Sequence, residues 1–172
     1  ADCHVTTDAL AAVVQRLRDG TWRNAEQIAA CFTDAASEPD AAKAIVIPHR
    51  EAIDACFSQD TVQGILADLA GSTDAGWAAQ TAAHMAKRSP LMMAVTLELI
   101  RRGGHTTLAD ELRRELDMMT HVFAEGDGIE GIRALAVDKD HAPKWKHTGI
   151  DSVRDDEVAA FFVSPWRREQ HP

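Results

Sequence analysis

The sequence predicts a mainly α fold, and three observations predict it. Apolar residues recur at three- and four-residue spacing along most of the 172 residues. Helix starts and stops punctuate that pattern, with Ser89-Pro90 the strongest start and Gly103-Gly104 a clear stop. An alternating apolar–polar pattern, the mark of a half-buried strand, extends no further than the first few residues. The length fits one ordinary domain with a real hydrophobic core.

The elements follow in order. After a short extended opening at Asp2–Val5, Leu10, Val13, Val14 and Leu17 mark one helix face, and Gly20 stops it. Asn24 and Gln27 form a capping arrangement for a second helix carrying Ile28 and Phe32. Ser37-Glu38-Pro39-Asp40 reads as a turn. Ile45-Val46-Ile47-Pro48 is too short, and too limited by its proline, to be assigned an element. Ile53, Cys56 and Phe57 give a further helical turn or two. Asp60 with Gln63 starts the next helix, with Val62, Ile65, Leu66 and Leu69 inward and Gly71 beyond it.

Thr73–Lys87 continues as helix, with Trp77, Thr81 and Met85 on one side. Ser89 then caps a helix with Pro90 in its first turn and Met92, Val95, Leu99 and Ile100 inward. Thr107 opens a long helix with Leu108, Leu112, Leu116, Met119 and Phe123 inward, closed by Gly126. Asp127 and Glu130 read as a D-x-x-E capping box, where orphan N–H groups and the helix dipole favour negative charge. That helix ends near Val137. Lys139–Thr148 is loop, fixed by Pro143, and Ser152 and Asp155 cap a last short helix carrying Val158, Phe161 and Phe162.

The net charge of −9 is spread through the chain and argues against nucleic-acid binding, which needs a basic stripe. Acidity of this kind keeps a protein soluble. The last segment is locally basic, with Lys144, Lys146, Arg167 and Arg168 able to meet a phosphate-bearing ligand or simply to solvate a tail. The three cysteines, Cys3, Cys31 and Cys56, fit no metal or redox spacing. Cys31 and Cys56 sit at apolar helical positions and read as buried structural thiols. An odd, unstapled count points to a reducing, cytoplasmic setting. No apolar run approaches the ~18 residues of a membrane span. No signal-peptide pattern opens the chain, which begins at Ala1 within the extended opening, a hint of truncation or processing.

Candidate chemistry is sparse. His121 follows Asp117 by four residues and could share a helix face with it, but a metal needs a third ligand at defined spacing, and a structural role accounts for the pair. His49, His84, His105 and His141 lack any metalloprotease-like context. Ser89 lacks a nucleophile elbow and is explained as a cap. Gly103-Gly104 is not a phosphate loop, and Glu115 and Asp117, two apart on a helix, do not face one another. Glu130 could pass for a general base, but the capping box explains it without chemistry.

One ordered set of features does carry a resemblance. Ser89-Pro90, the Glu115 helix and Phe123 are followed by Glu130-Gly131, Arg133-Ala134, Asp138-Lys139-Asp140 and Pro143-Lys144-Trp145. This resembles the C-terminal signature of the enoyl-CoA hydratase/isomerase (crotonase) superfamily, in its hydrolase branch of 3-hydroxyisobutyryl-CoA hydrolases. Asp138-Lys139-Asp140 stands where hydratases typically carry Glu-Lys-Arg, and the connection up to the Ser-Pro helix is long and helical, as in the hydrolases. Gly128 departs from the pattern, which usually begins Asp-Phe, and Gly126 is unusual as well.

The resemblance implies that 1–172 is the C-terminal helical region of a crotonase-like fold: 1–20 a post-core strand and helix, 21–88 a hydrolase-type helical insertion, 89–172 the C-terminal helices and tail. The catalytic α/β core is then absent from the chain, with its oxyanion hole and catalytic carboxylates. The implied function is a part in acyl-CoA thioester hydrolysis in valine breakdown, completing the CoA cleft and packing on the core. An enoyl-CoA hydratase or isomerase, or a free-standing helical binding or oligomerisation module, are the alternatives.

No catalytic residue and no metal ligand is assigned, and no cofactor, since CoA belongs to the substrate. The implied partners are the acyl-CoA substrate, the missing N-terminal core and a homo-oligomer, with no nucleic acid and no membrane. Phe123 and Lys139 match family positions that help hold the adenine end of CoA, often across a subunit boundary. Read from the residues alone, Phe123 is a core residue and Lys139 a surface cation favoured at a helix C-terminus.

Overall fold

The computed structural model describes residues 3–38, 44–104, 106–124 and 127–166, and among them there is helix, turn and loop but no strand. The chain divides into two compact units, Ala1–Pro48 and His49–Pro172.

The first unit pairs α1 (Thr7–Asp19) with α2 (Ala25–Thr33). Thr6 caps α1 by accepting a hydrogen bond from the Ala9 N–H, and Gly20 ends it. Gly20 is dictated by packing: a β-carbon there would lie 2.2 Å from the Trp22 ring, whose Nε1 donates to Leu17 O at 3.0 Å. Asn24 caps α2 from the Gln27 N–H at 3.0 Å, and the Gln27 side chain accepts from Arg23 N at 2.9 Å. Val13 and Cys31 are the buried residues of the pair, and Arg16 bridges to Asp34 at 2.9 Å. Leu10, Val14 and Ile28, expected inward or on the apolar face, remain exposed. The extended opening forms no ladder over residues 3–6, because a strand needs a partner and none is present among the described residues. The Ser37 N–H instead donates to His4 O at 2.9 Å. Pro39 and Asp40 of the expected turn, Gly126, His105, and Arg167 and Arg168 lie outside the described residues.

A 3₁₀ turn at Ile47–His49 takes up the segment left without an element. The second unit then runs through α3 (Arg50–Cys56), α4 (Val62–Gly71), α5 (Ala75–Met85), α6 (Pro90–Gly103), α7 (Leu108–Ala124), α8 (Asp127–Ile132), a π turn (Arg133–Val137), a 3₁₀ turn (Ile150–Ser152) and α9 (Asp155–Ala160). Two apolar clusters hold it. Cys56, Ile65, Leu69 and Ala78 join α3, α4 and α5, with Trp77, Met85 and Leu97 against them. Leu91, Val95 and Phe161 join α6 and α9, with Met118 and Val122 of α7 packed alongside. Full burial of a leucine or phenylalanine contributes about 1.5–3 kcal/mol. The Arg101 guanidinium donates to Gln59 O, Asp60 O and Asp60 Oδ1, tying the end of α6 to the α3–α4 turn.

The structure corrects several details. Thr61, not Asp60, caps α4, its hydroxyl accepting from the Gly64 N–H at 3.0 Å. Arg154 stands at the start of α9, and the Ser152 hydroxyl donates to Gly149 O at 2.7 Å instead of capping. Ile100, expected inward, is 68% exposed. It follows Val95 by five residues and so lies about 140° around the helix from it.

The largest correction concerns α7. Its apolar stripe of Leu108, Leu112, Leu116, Met119 and Phe123 is exposed, from 78% at Leu108 to 39% at Leu116. Asp117 is buried instead, and Glu111, Arg114, Met118, His121 and Val122 are half-buried. From α7 the second cluster receives Met118 and Val122, and the stripe itself is left uncovered by the described residues.

Candidate functional site

The residues singled out for a ligand, Phe123 and Lys139, are both on the surface and make no bond to one another. Phe123 lies in the last turn of α7 and is half exposed. Lys139 follows the π turn with φ of 56°, in the left-handed region that L side chains seldom adopt, and His141 shares that conformation with φ of 54°. Such backbone persists only where its surroundings determine it.

Those surroundings centre on Arg133. Its guanidinium donates to Glu130 Oε2 at 2.9 Å and Oε1 at 2.8 Å, to Asp138 Oδ2 at 2.6 Å, to Asp140 Oδ2 at 2.8 Å and to Ala142 O at 3.2 Å. The planar fork suits this many-sided grip in a way that a lysine would not. Backbone bonds complete the turn, from Asp138 N to Arg133 O at 2.8 Å and from His141 N to Ala134 O at 3.0 Å. The Arg133 hydrogen bonds, helped by the Lys144 N–H, hold the Glu130 carboxyl down to about 2. The Ala142 N–H and then Arg133 hold Asp140 below the ordinary aspartate range, and the three carboxylates push Arg133 upward.

The expected capping box at Asp127 and Glu130 is overturned. Among the described residues, neither carboxylate turns back onto the N–H groups of α8. Glu130 accepts from Arg133 and from Lys144 N at 2.6 Å, and Asp127 accepts from the Ser89 hydroxyl and from Lys146 N at 3.0 Å. Both acids therefore fasten the 139–146 loop to α8 and to the start of α6. Ser89 keeps its expected cap, accepting from Met92 N at 3.1 Å. Trp145 closes the loop: its ring lies 3.4 Å from where a β-carbon of Gly131 would stand, and its Nε1 donates to Lys87 O at 3.4 Å.

Beside this loop an open apolar cavity of about 610 Å³ runs between α5 and α6, walled by Phe57, Met85, Met92 and Ile100. Ser89, Asp127 and Trp145 also line it, with His84 and Arg88. The Ser89 hydroxyl is already committed to Asp127, so it is not poised as a nucleophile. His121 Nε2 pairs with Val163 O at 2.7 Å, a structural role. No group of three metal-ligating side chains gathers among the described residues. Sequence reasoning missed one pair, His49 with Asp74 at 2.5 Å, where the imidazole stacks on Trp77 and holds the Asp74 carboxyl below its usual range. It also missed the Arg133 grip. Spacing shows only the Glu130–Arg133 part, three residues apart on one helix face.

No helix among the described residues is long and apolar enough to cross a membrane.

Known proteins share this chain's pattern. A family model described as enoyl-CoA hydratase/isomerase matches residues 1–162. The mitochondrial 3-hydroxyisobutyryl-CoA hydrolase of Rattus norvegicus is 34% identical over 122 residues, 70% of this chain and 31% of that protein. The small ribosomal subunit protein mS47 of Arabidopsis thaliana is 35% identical over 124 residues, 69% of this chain and 30% of that protein. The crystal structure of a carnitinyl-CoA dehydratase from Mycobacterium thermoresistibile superposes with a TM-score of 0.79 at 31% identity, over 100% of this chain and 46% of that one. The chain thus spans about a third of the length of the curated relatives it matches. Its helical structure corresponds to part of the crotonase fold, and the chain belongs to the enoyl-CoA hydratase/isomerase (crotonase) superfamily.

Proposed function

We propose that this chain is the C-terminal helical region of a 3-hydroxyisobutyryl-CoA hydrolase-like thioesterase. It covers a catalytic core and completes the cleft for CoA. In that reaction water adds to the thioester carbonyl, the C–S bond breaks, and a hydroxy acid and the CoA thiol leave. The core supplies the oxyanion hole and the carboxylates. The observation that carries this reading is the open apolar stripe of α7, five large apolar side chains on one helix face that another folded part would bury. Phe123 lies in that stripe, and Lys139 stands unpaired among the described residues, so the two are offered to the nucleotide end of CoA. The segments 1–20, 21–88 and 89–172 serve as post-core connection, hydrolase-type insertion and C-terminal helices. The thiols at Cys3, Cys31 and Cys56 are all unbridged, which suits a cytoplasmic location. The rat relative is named as mitochondrial, so imaging of the tagged protein separates the two compartments.

The test is thiol release from 3-hydroxyisobutyryl-CoA by the polypeptide as its source cell makes it. Release at enzymatic rates is expected, with none from residues 1–172 alone. Enzymatic release by residues 1–172 alone would overturn the assignment of catalysis to another part. The competing reading is an enoyl-CoA hydratase or isomerase, favoured by the likeness to the carnitinyl-CoA dehydratase structure. Product analysis separates them, since hydration or isomerisation leaves the C–S bond intact.

A further inference from the structure

The geometry points to Arg133 as a positioning residue for Lys139, setting it to meet the phosphate groups of a CoA-type ligand. The inference rests on the proposed CoA contact at Lys139 and adds the device that makes the contact work. Lys139 is flanked in sequence by Asp138 and Asp140. Left free, two such neighbours would pair with the lysine and repel a phosphate. Here both carboxylates are bound to one Arg133 nitrogen, at 2.6 and 2.8 Å. The same guanidinium holds Glu130 and Ala142 O, so one side chain fixes both flanks of the turn.

Two consequences follow. The backbone of Lys139 is driven into the left-handed region without a glycine or asparagine to favour it. The Lys139 ammonium is left without an ion pair among the described residues, while the acids beside it are held on the Arg133 guanidinium. From Asp127 to Lys146 the chain carries four carboxylates (Asp127, Glu130, Asp138, Asp140) and four fixed cations (Arg133, Lys139, Lys144, Lys146). Three of those carboxylates are bound by Arg133. Lys139 itself stays exposed beside them.

The experiment uses the polypeptide as its source cell makes it, and compares kcat/KM for the 3-hydroxyisobutyryl thioester of CoA with that for the same thioester of pantetheine, which lacks the nucleotide and its phosphates. Lys139→Ala is expected to lower the CoA-to-pantetheine ratio about tenfold, the scale of one lost charge-assisted contact. Arg133→Gln and Arg133→Lys are expected to lower it to a similar extent, and either combined with Lys139→Ala to lower it no further. A ratio preserved in Arg133→Lys would show that charge alone suffices and overturn positioning by the fork. A ratio that falls in Lys139→Ala but not in the Arg133 variants would overturn the inference and leave the functional reading standing. A ratio unmoved by Lys139→Ala would overturn the CoA contact and the inference together, while thiol release still judges the hydrolase reading. Thermal melting checks that the Arg133 variants fold. Should they not, Asp138→Ala removes one tether and keeps the Glu130 pair; a fall of about threefold is expected there, and an unchanged ratio overturns the inference.

Discussion

Gly128 is held against Val122. A β-carbon on Gly128 would stand 2.5 Å from Val122 Cγ1 and 2.9 Å from Val122 O. The methyl could swing aside, but the carbonyl belongs to the backbone of α7 and cannot. The close approach of α7 and α8 therefore requires glycine here, which accounts for the departure from the Asp-Phe pattern of the hydrolases. Gly128→Ala is expected to destabilise the chain by about 1–3 kcal/mol, the range for overpacking. Val122→Ala in the same chain should restore only part of the loss, because it leaves the carbonyl contact. Urea denaturation with an unchanged midpoint would show that the two helices do not approach this closely.

Ser89 serves two structures at once. Its hydroxyl caps α6 at Met92 N and donates to the buried Asp127. Ser89→Ala removes the cap and takes away one partner of a carboxylate that is 5% exposed. The expected cost is about 1–3 kcal/mol, combining a lost cap with a buried acceptor left short. Ser89→Thr, which keeps the hydroxyl, should recover most of it. Equal losses in the two variants would mean that the site responds to volume and not to hydrogen bonding.

Acid should loosen the 130–146 loop. Glu130 has an ordinary value of 4.5, and Arg133 with the Lys144 N–H holds it at about 2 in the folded chain. Its folded value is depressed, so the unfolded chain binds the proton more readily between those limits. The stabilisation is therefore complete above about pH 4.5 and is lost as the pH falls toward about 2. Asp140, also depressed, adds to the same trend. Denaturation midpoints measured across this window should fall with pH more steeply in the parent than in Glu130→Gln. Parallel curves would remove Glu130 from the account.

The helices were legible because their signals are local. Gly20, Asn24 and Ser89-Pro90 set helix ends through bonds to residues within a few positions, and the structure places those ends as expected. Which face each helix buries was less legible, since that depends on what is packed against it. Ile100 and the α7 stripe have the right period and the wrong surroundings. The site was legible only in part. Glu130 and Arg133 are three apart and pair as helix spacing allows. The return of Asp138 and Asp140 onto Arg133 depends on left-handed backbone at Lys139 and His141, and neither residue type announces it. Ser89 with Asp127, and His49 with Asp74, join distant parts of the sequence, so no spacing rule finds them.

The open stripe of α7 separates a surface that awaits a covering part from one that is only oily. Leu112 and Met119 face solvent, whereas Val122 packs on the second core. Leu112→Glu and Met119→Glu should each change the stability of residues 1–172 by no more than about 0.5 kcal/mol, as exposed positions do. Val122→Glu should cost more than about 2 kcal/mol by placing a carboxylate in an apolar cluster. The first two substitutions should also reduce binding of a hydrophobic dye to this chain, because they interrupt an exposed apolar stripe. In the polypeptide as its source cell makes it, the same two substitutions should instead lower the melting temperature, since a covering part would then meet two charges. Losses at Leu112 and Met119 in residues 1–172 as large as at Val122 would mean that this chain covers the stripe itself, and the proposed packing on a catalytic core would fall with it.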